Sequence, residues 1–155
     1  MMAYVTDSTP EHISIVANAM RHADVAEIWA AGRKTPETAL KASMALSRYC
    51  KTIMLDDKPI GMFGVTPLSV VTGNGVPWML GTPEIETISM RFLRGSLSYI
   101  REMLAGYSYL DNWVDARNTV SIRWLKWLGF AIVKPEPYGH LNLPFHRFYM
   151  ENPNV

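Results

Sequence analysis

Glu84 and Glu86 follow the turn Gly81-Thr82-Pro83. At such a place a carboxylate can accept a proton or complement the positive end of a helix. Arg91 and Arg94 lie just beyond them, and their guanidinium groups can pair with phosphate through charge-assisted hydrogen bonds or stand as solvated helix charges. Tyr138 and His140 sit in Pro135-Glu136-Pro137-Tyr138-Gly139-His140, a proline-rich loop able to reach over a site or to pack as a lid. Trp113, Trp124 and Trp127 offer either a stacking surface for an adenine or core and interface area. Histidines at 12, 22, 140 and 146 lack metal-ligand spacing and cysteine partners, so no metal is assigned. Cys50 is the only cysteine, which excludes an intrachain disulfide and reads as a thiol on an apolar helix face.

Apolar spacing supplies the elements that must hold these groups. Tyr4-Val5-Thr6 reads as a strand, followed by a helix capped at Ser8 or Thr9 with Pro10 in its first turn. Val25 to Ala31 forms a second helix ending at Gly32, and Thr35-Pro36-Glu37 starts a third. Strands Thr52–Leu55 and Ile60–Val65 flank the turn-rich Asp56-Asp57-Lys58-Pro59 as a hairpin, and Val76–Leu80 adds a third strand with Pro77 tolerated near its start. From Ile85 to Leu104 the apolar period predicts one long helix, stopped at Gly106. Tyr109–Val114 is a strand, Asn118 caps a helix closed by Gly129, and Phe130–Val133 and Phe145–Met150 are the last two strands. The sequence therefore predicts one mixed α/β domain over residues 1–155.

With 155 residues, 48% of them apolar and 19% charged, the chain has enough apolar surface for one core and too little charge for disorder. Its net charge of +1 lacks the excess that gripping a polyanion requires, so nucleic acid is not expected as a partner. The N-terminus carries no basic and apolar leader, and no stretch reaches the ~18 apolar residues of a membrane span. A soluble, unprocessed product of a reducing cytoplasm is expected.

The segment Asn118-Thr-Val-Ser-Ile-Arg-Trp-Leu-Lys-Trp-Leu-Gly129-Phe130, preceded by Trp113-Val114-Asp115, resembles the strand-helix-strand signature of the GNAT superfamily of N-acetyltransferases. The resemblance implies a mostly antiparallel mixed sheet with helices on both faces. Strands four (Trp78, Met79, Leu80) and five (Tyr109 to Val114) would splay around the pantetheine arm of acetyl-CoA. It also implies cofactor contacts from Trp113 and Asn118, and a pyrophosphate near the amides of Arg91 to Ser96, with Arg94 and Gly95 at its centre. Glu84 and Glu86 would be the base for the attacking ammonium, and Tyr138 would reach over the site.

Two departures stand out. The nearest match to the family's phosphate motif, Arg91-Phe92-Leu93-Arg94-Gly95-Ser96, has its glycine displaced by one, and Leu125 occupies the position where many members carry a proton-donating tyrosine. The run from Trp113 to Gly129 is also similar to a family of acetyltransferase-like internal virion proteins of short-tailed phages. That second resemblance implies a phage product in the host cytoplasm or the virion. Two function classes follow: an acetyl-CoA-dependent acyltransferase acting on an amine, or a degenerate virion component of the same fold that binds other phage proteins.

Overall fold

The computed structural model describes residues 2–88 and 90–155. Strand β1 (Ala3–Asp7) pairs antiparallel with β2 (Tyr49–Leu55), and three helices fill the connection: α1 (Pro10–Asn18), α2 (His22–Gly32) and α3 (Pro36–Leu46). Both α1 and α3 begin at a proline, which gives up no helical hydrogen bond at that position. At the α1 start the His12 ring reaches back to accept the Thr9 N–H at 3.2 Å. Strand β2 turns into β3 (Lys58–Ser69) through Asp56 and Asp57, both at positive φ as a two-residue hairpin requires, and β3 turns into β4 (Asn74–Gly81).

After β4 come a 3-10 turn (Pro83–Thr87), α4 (Met90–Gly95), α5 (Leu97–Leu104), β5 (Tyr109–Asp115), α6 (Thr119–Leu128), β6 (Ala131–Ile132), β7 (Glu136–Tyr138) and β8 (Leu143–Glu151). The sheet runs β1-β2-β3-β4-β5-β8-β6, with β7 also paired to β8. It is antiparallel except between β4 and β5.

Strand alternation sorts the core onto two faces. Met62 and Leu80 join Ile13, Val16 and Leu40 under α1 and α3, while Phe63 and Val65 join Leu110, Val114, Phe130 and Phe148 under α5 and α6. The expected two-faced mixed sheet is therefore present.

Three sequence expectations change. Cys50, read as a thiol on a helix face, lies in β2, because α3 ends at Leu46. The long helix from Ile85 is instead a 3-10 turn set by Pro83 and then two helices, because Ser96 interrupts the ladder: its hydroxyl bonds the Leu93 carbonyl and its N–H is shared between Phe92 and Leu93. The proline-rich loop contains a short strand, β7, in which Pro137 pairs opposite Pro144 at a sheet edge, where a missing N–H is tolerated.

Strands β4 and β5 touch only at Asn74↔Tyr109 and Gly75↔Leu110, and then separate. The first cause is Pro77, which has no N–H to extend the ladder; its carbonyl accepts the Asn112 side-chain amide at 2.8 Å instead. The second is α2, whose polar side chains cover the strand ends farther on. Gly81 N–H donates to Asp24 Oδ2 at 3.0 Å, Arg21 N–H donates to the Gly81 carbonyl at 2.8 Å, and Asp115 N–H donates to Glu27 Oε1 at 2.9 Å. The Asp24 and Glu27 side chains and the Arg21 backbone N–H thus take up strand groups that β4 and β5 no longer pair with each other.

Candidate functional site

Between the Pro77 carbonyl and the Gly81 amide, both directed away from β3, lies Met79. By the two-residue alternation of a strand its amide and carbonyl point the same way, into the gap. No described hydrogen bond takes them across it. Around this point is a cavity of about 430 Å³ that passes through the sheet, a size ordinary for small-molecule sites. On one face it is lined by Ile88, Phe92, Leu93, Ser96, Trp124 and Leu125, from the segment before α4, from α4 and its end, and from α6. On the other it is lined by Glu27, Ile28 and Ala31 of α2, Trp78 of β4, Trp113 of β5 and Tyr138 of β7.

The Trp113 and Tyr138 rings stack at 4.5 Å and 15°, and Tyr138 tilts onto Phe145. Burial raises the Tyr138 hydroxyl above its ordinary value, so it stays protonated. The turn after β7 is clamped to α2. Gly139 has φ +76, a Cβ there would come within 2.3 Å of the Ala30 carbonyl, and the His140 ring bonds both the Trp29 carbonyl and Arg33 Nε.

The polar wall is built from α2. Residues Asp24 and Glu27, three apart, share one face of the helix, and Arg21 precedes it. Arg21 is 4% exposed and donates to Asp24 Oδ1 at 2.8 Å, Asn118 Oδ1 at 3.2 Å and Glu86 Oε2 at 3.2 Å, with its guanidinium 5.6 Å from the Trp124 ring centre. The Asn118 amide in turn donates to Asp24 Oδ1 at 3.2 Å and Glu27 Oε1 at 3.3 Å. Burial raises Asp24 above the usual carboxylate range despite the adjacent guanidinium. Burial, helped by the Asp24 and Asp115 charges, pushes the Glu27 carboxyl up to about 8, against the bonds it accepts from Asp115 N–H and Asn118.

The structure brings Trp78, Met79, Leu80, Trp113, Tyr138 and Ser96 to the cavity. Others lie elsewhere. Glu84 pairs with Lys58 at 3.0 Å and Glu86 with Arg21, both outside the cavity lining. Asn118, expected as a helix cap or cofactor contact, makes no side-chain cap bond; it is 2% exposed and its amide serves the α2 network.

Arg91, Arg94 and Gly95 are exposed on α4. Gly95 has open space where a Cβ would stand and no positive φ, so it is not a glycine that lets a phosphate approach backbone. Gly95→Ala is accordingly expected to stabilise the protein by up to ~1 kcal/mol, read as a raised urea midpoint, since it removes only unfolded-state freedom.

Arg21 and Asp24 escape the sequence reading because the helix is started there at Val25, and Glu27 because without them it is a single helix charge. The spacing Arg21-x-x-Asp24-x-x-Glu27 beside Ile28 and Ala31 was the available signal.

No family model and no curated protein matches this chain. Solved structures do. A GNAT-superfamily phosphinothricin acetyltransferase from Sinorhizobium meliloti, in complex with acetyl-CoA, is 15% identical with TM-score 0.71, over 97% of this chain and 89% of that one. The spermidine N-acetyltransferase of Vibrio cholerae, in complex with CoA and spermine, is 12% identical with TM-score 0.65, over 96% and 95%. An acetyltransferase of Bacillus subtilis in complex with CoA is 8% identical with TM-score 0.63, over 97% of each chain. At such identities the likeness shows the fold, which is that of the GNAT acetyltransferases.

Proposed function

We propose that this protein is an acyltransferase that uses acetyl-CoA to acetylate an amine. The observation that carries the reading is the open backbone of Met79 in a cavity lined from both faces of the sheet, so that a donor and an acceptor would enter from opposite sides and meet at one point. The residues present fit the cofactor's amide-bearing arm. Met79 offers one donor and one acceptor at the strand edge, and Ile88, Phe92, Leu93 and Leu125 give the α4 and α6 side an apolar wall. Arg91 and Arg94 are the exposed cations of α4 available to phosphates. Bound there, acetyl-CoA would supply an activated acetyl thioester.

The chain's own contribution is orientation and proton handling. Glu27, held by Asp115 N–H and Asn118, titrates close to physiological pH and can accept the proton that an attacking ammonium must lose. Asn118 and Arg21 fix that carboxyl's surroundings without touching the reacting atoms. The Tyr138 hydroxyl is a neutral donor or acceptor over the acceptor entrance. Leu125 supplies no proton to the other entrance, and a thiol with pKa ~8.5 departs without much assistance.

Thermal unfolding with and without acetyl-CoA tests this. A ligand at 100 times its Kd adds ~2.7 kcal/mol of stability, and the expected result is a clear rise in Tm together with acetylated amine detected by mass spectrometry. No shift at millimolar acetyl-CoA and no product would overturn it.

The second reading is a degenerate virion component. Leu68, Val70 and Val71 favour it: they stand 67%, 102% and 96% exposed at the β3–β4 turn, the kind of apolar projection that partner proteins cover. A phage origin, with the host cytoplasm or virion as location, is supported by the Trp113–Gly129 resemblance alone. Among the described residues no helix is long and apolar enough to cross a membrane.

A further inference from the structure

The α2 side of the cavity has an uneven distribution of charge. Among the described residues lining the cavity, Glu27 is the only carboxylate and Lys34 the only cation. Lys34 is exposed on the connection between α2 and α3 and makes no ion pair among the described residues. It stands two residues past the end of α2 at Gly32, so in chain order Glu27 and Lys34 bracket the lining that α2 contributes. The surface between them is aromatic and apolar: Trp113 stacked on Tyr138, with Trp78, Ile28 and Ala31.

We infer that the acceptor is a monoamine carrying an anionic group at the far end of an apolar or aromatic body, with the amine at Glu27 and the anion at Lys34. The inference rests on the reading of this entrance as the acyl-acceptor site. A polyamine is the wrong class for this wall. Its second and third ammonium groups would meet tryptophan, alanine and a lysine, with no carboxylate beyond Glu27 to pair them. A neutral apolar amine would fill the aromatic part and leave Lys34 without a partner. An anion supplies what remains, and an exposed lysine pairs with one at low desolvation cost.

The test compares 4-(aminomethyl)benzoate, benzylamine and spermidine. Binding is followed by the fluorescence of the cavity tryptophans without acetyl-CoA, and turnover by mass spectrometry with it. The wild type is expected to bind the benzoate at least ten-fold more tightly than benzylamine and to leave spermidine unacetylated. Lys34→Met is expected to remove that ten-fold preference without changing Tm or benzylamine affinity. Lys34→Glu is expected to reverse it, favouring 1,4-bis(aminomethyl)benzene.

Equal affinity for benzoate and benzylamine in the wild type, spermidine as the preferred amine, or a preference unaltered in Lys34→Met would overturn the inference. The two readings separate cleanly. Lys34-dependent binding with no acetylated product supports this ligand class and overturns acyl transfer, whereas turnover of amines that ignores Lys34 does the reverse.

Discussion

Arg21→Met is expected to cost about 3–5 kcal/mol of folding stability, the usual consequence of removing one partner from a buried ion pair. The Arg21 and Asp24 side chains are 5% and 4% exposed. With the guanidinium gone, the Asp24 carboxylate keeps the Gly81 and Asn118 donors but loses its counter-charge, and Asn118 Oδ1 loses the Arg21 bond. Methionine fills volume and restores neither. Against a total stability of ~5–15 kcal/mol, the loss is enough to unfold much of the population in modest urea. The double variant Arg21→Met, Asp24→Asn is expected to recover more than half, because asparagine still accepts the Gly81 N–H while removing the stranded charge. A single-variant loss below ~1 kcal/mol would show that α2 is held by its apolar contacts and not by this network.

The architecture was legible where local pattern and tertiary role agree. Thr52–Val65 reads as a hairpin because its turn residues and β-rich flanks are adjacent in sequence, and the structure extends it only at the ends. Gly129 reads as a helix stop and adopts φ +102. The divergence of β4 and β5 came from family resemblance, although Pro77 carried a physical hint: a residue without an N–H cannot continue a ladder on the side it faces.

What stayed hidden depends on partners far along the chain. Arg21, Asp24 and Glu27 acquire their role from Gly81, Asp115 and Asn118, and no periodicity links a helix start near residue 22 to strand ends 57 and 88 positions away. Asn118 misled for the same reason. An asparagine before a helix is ordinarily its cap, and here burial beside Arg21 gives its Oδ1 the guanidinium as donor in place of the cap N–H groups. At Arg94-Gly95-Ser96 a motif-like glycine suggested a phosphate site, whereas Gly95 closes α4 and the Ser96 N–H bonds back to the Phe92 and Leu93 carbonyls.

Glu27→Gln is expected to lower kcat by ~10²–10⁴, the range associated with losing a positioned general base. Acetyl-CoA affinity should be unchanged, because the side chain belongs to the α2 face of the cavity. The wild-type rate should rise with pH up to about 8, where Glu27 becomes an anion, and the variant should lose that limb. Stability gives an independent reading with a definite sign. The folded state holds the Glu27 proton up to about 8 against an ordinary 4.5, so this contribution is fully present below pH 4.5 and is lost as pH rises through 8. Asp24, also raised, acts in the same direction. Urea unfolding from pH 5 to 8.5 should therefore show the wild type weakening more than Glu27→Gln, since glutamine has no proton to surrender and its Oε1 can keep the Asp115 N–H and Asn118 bonds, which both fall on one carboxylate oxygen. Parallel pH curves would mean that Glu27 is already ionised in the folded protein. A lower kcat with an unaltered pH profile would mean that it positions the acceptor and does not take its proton.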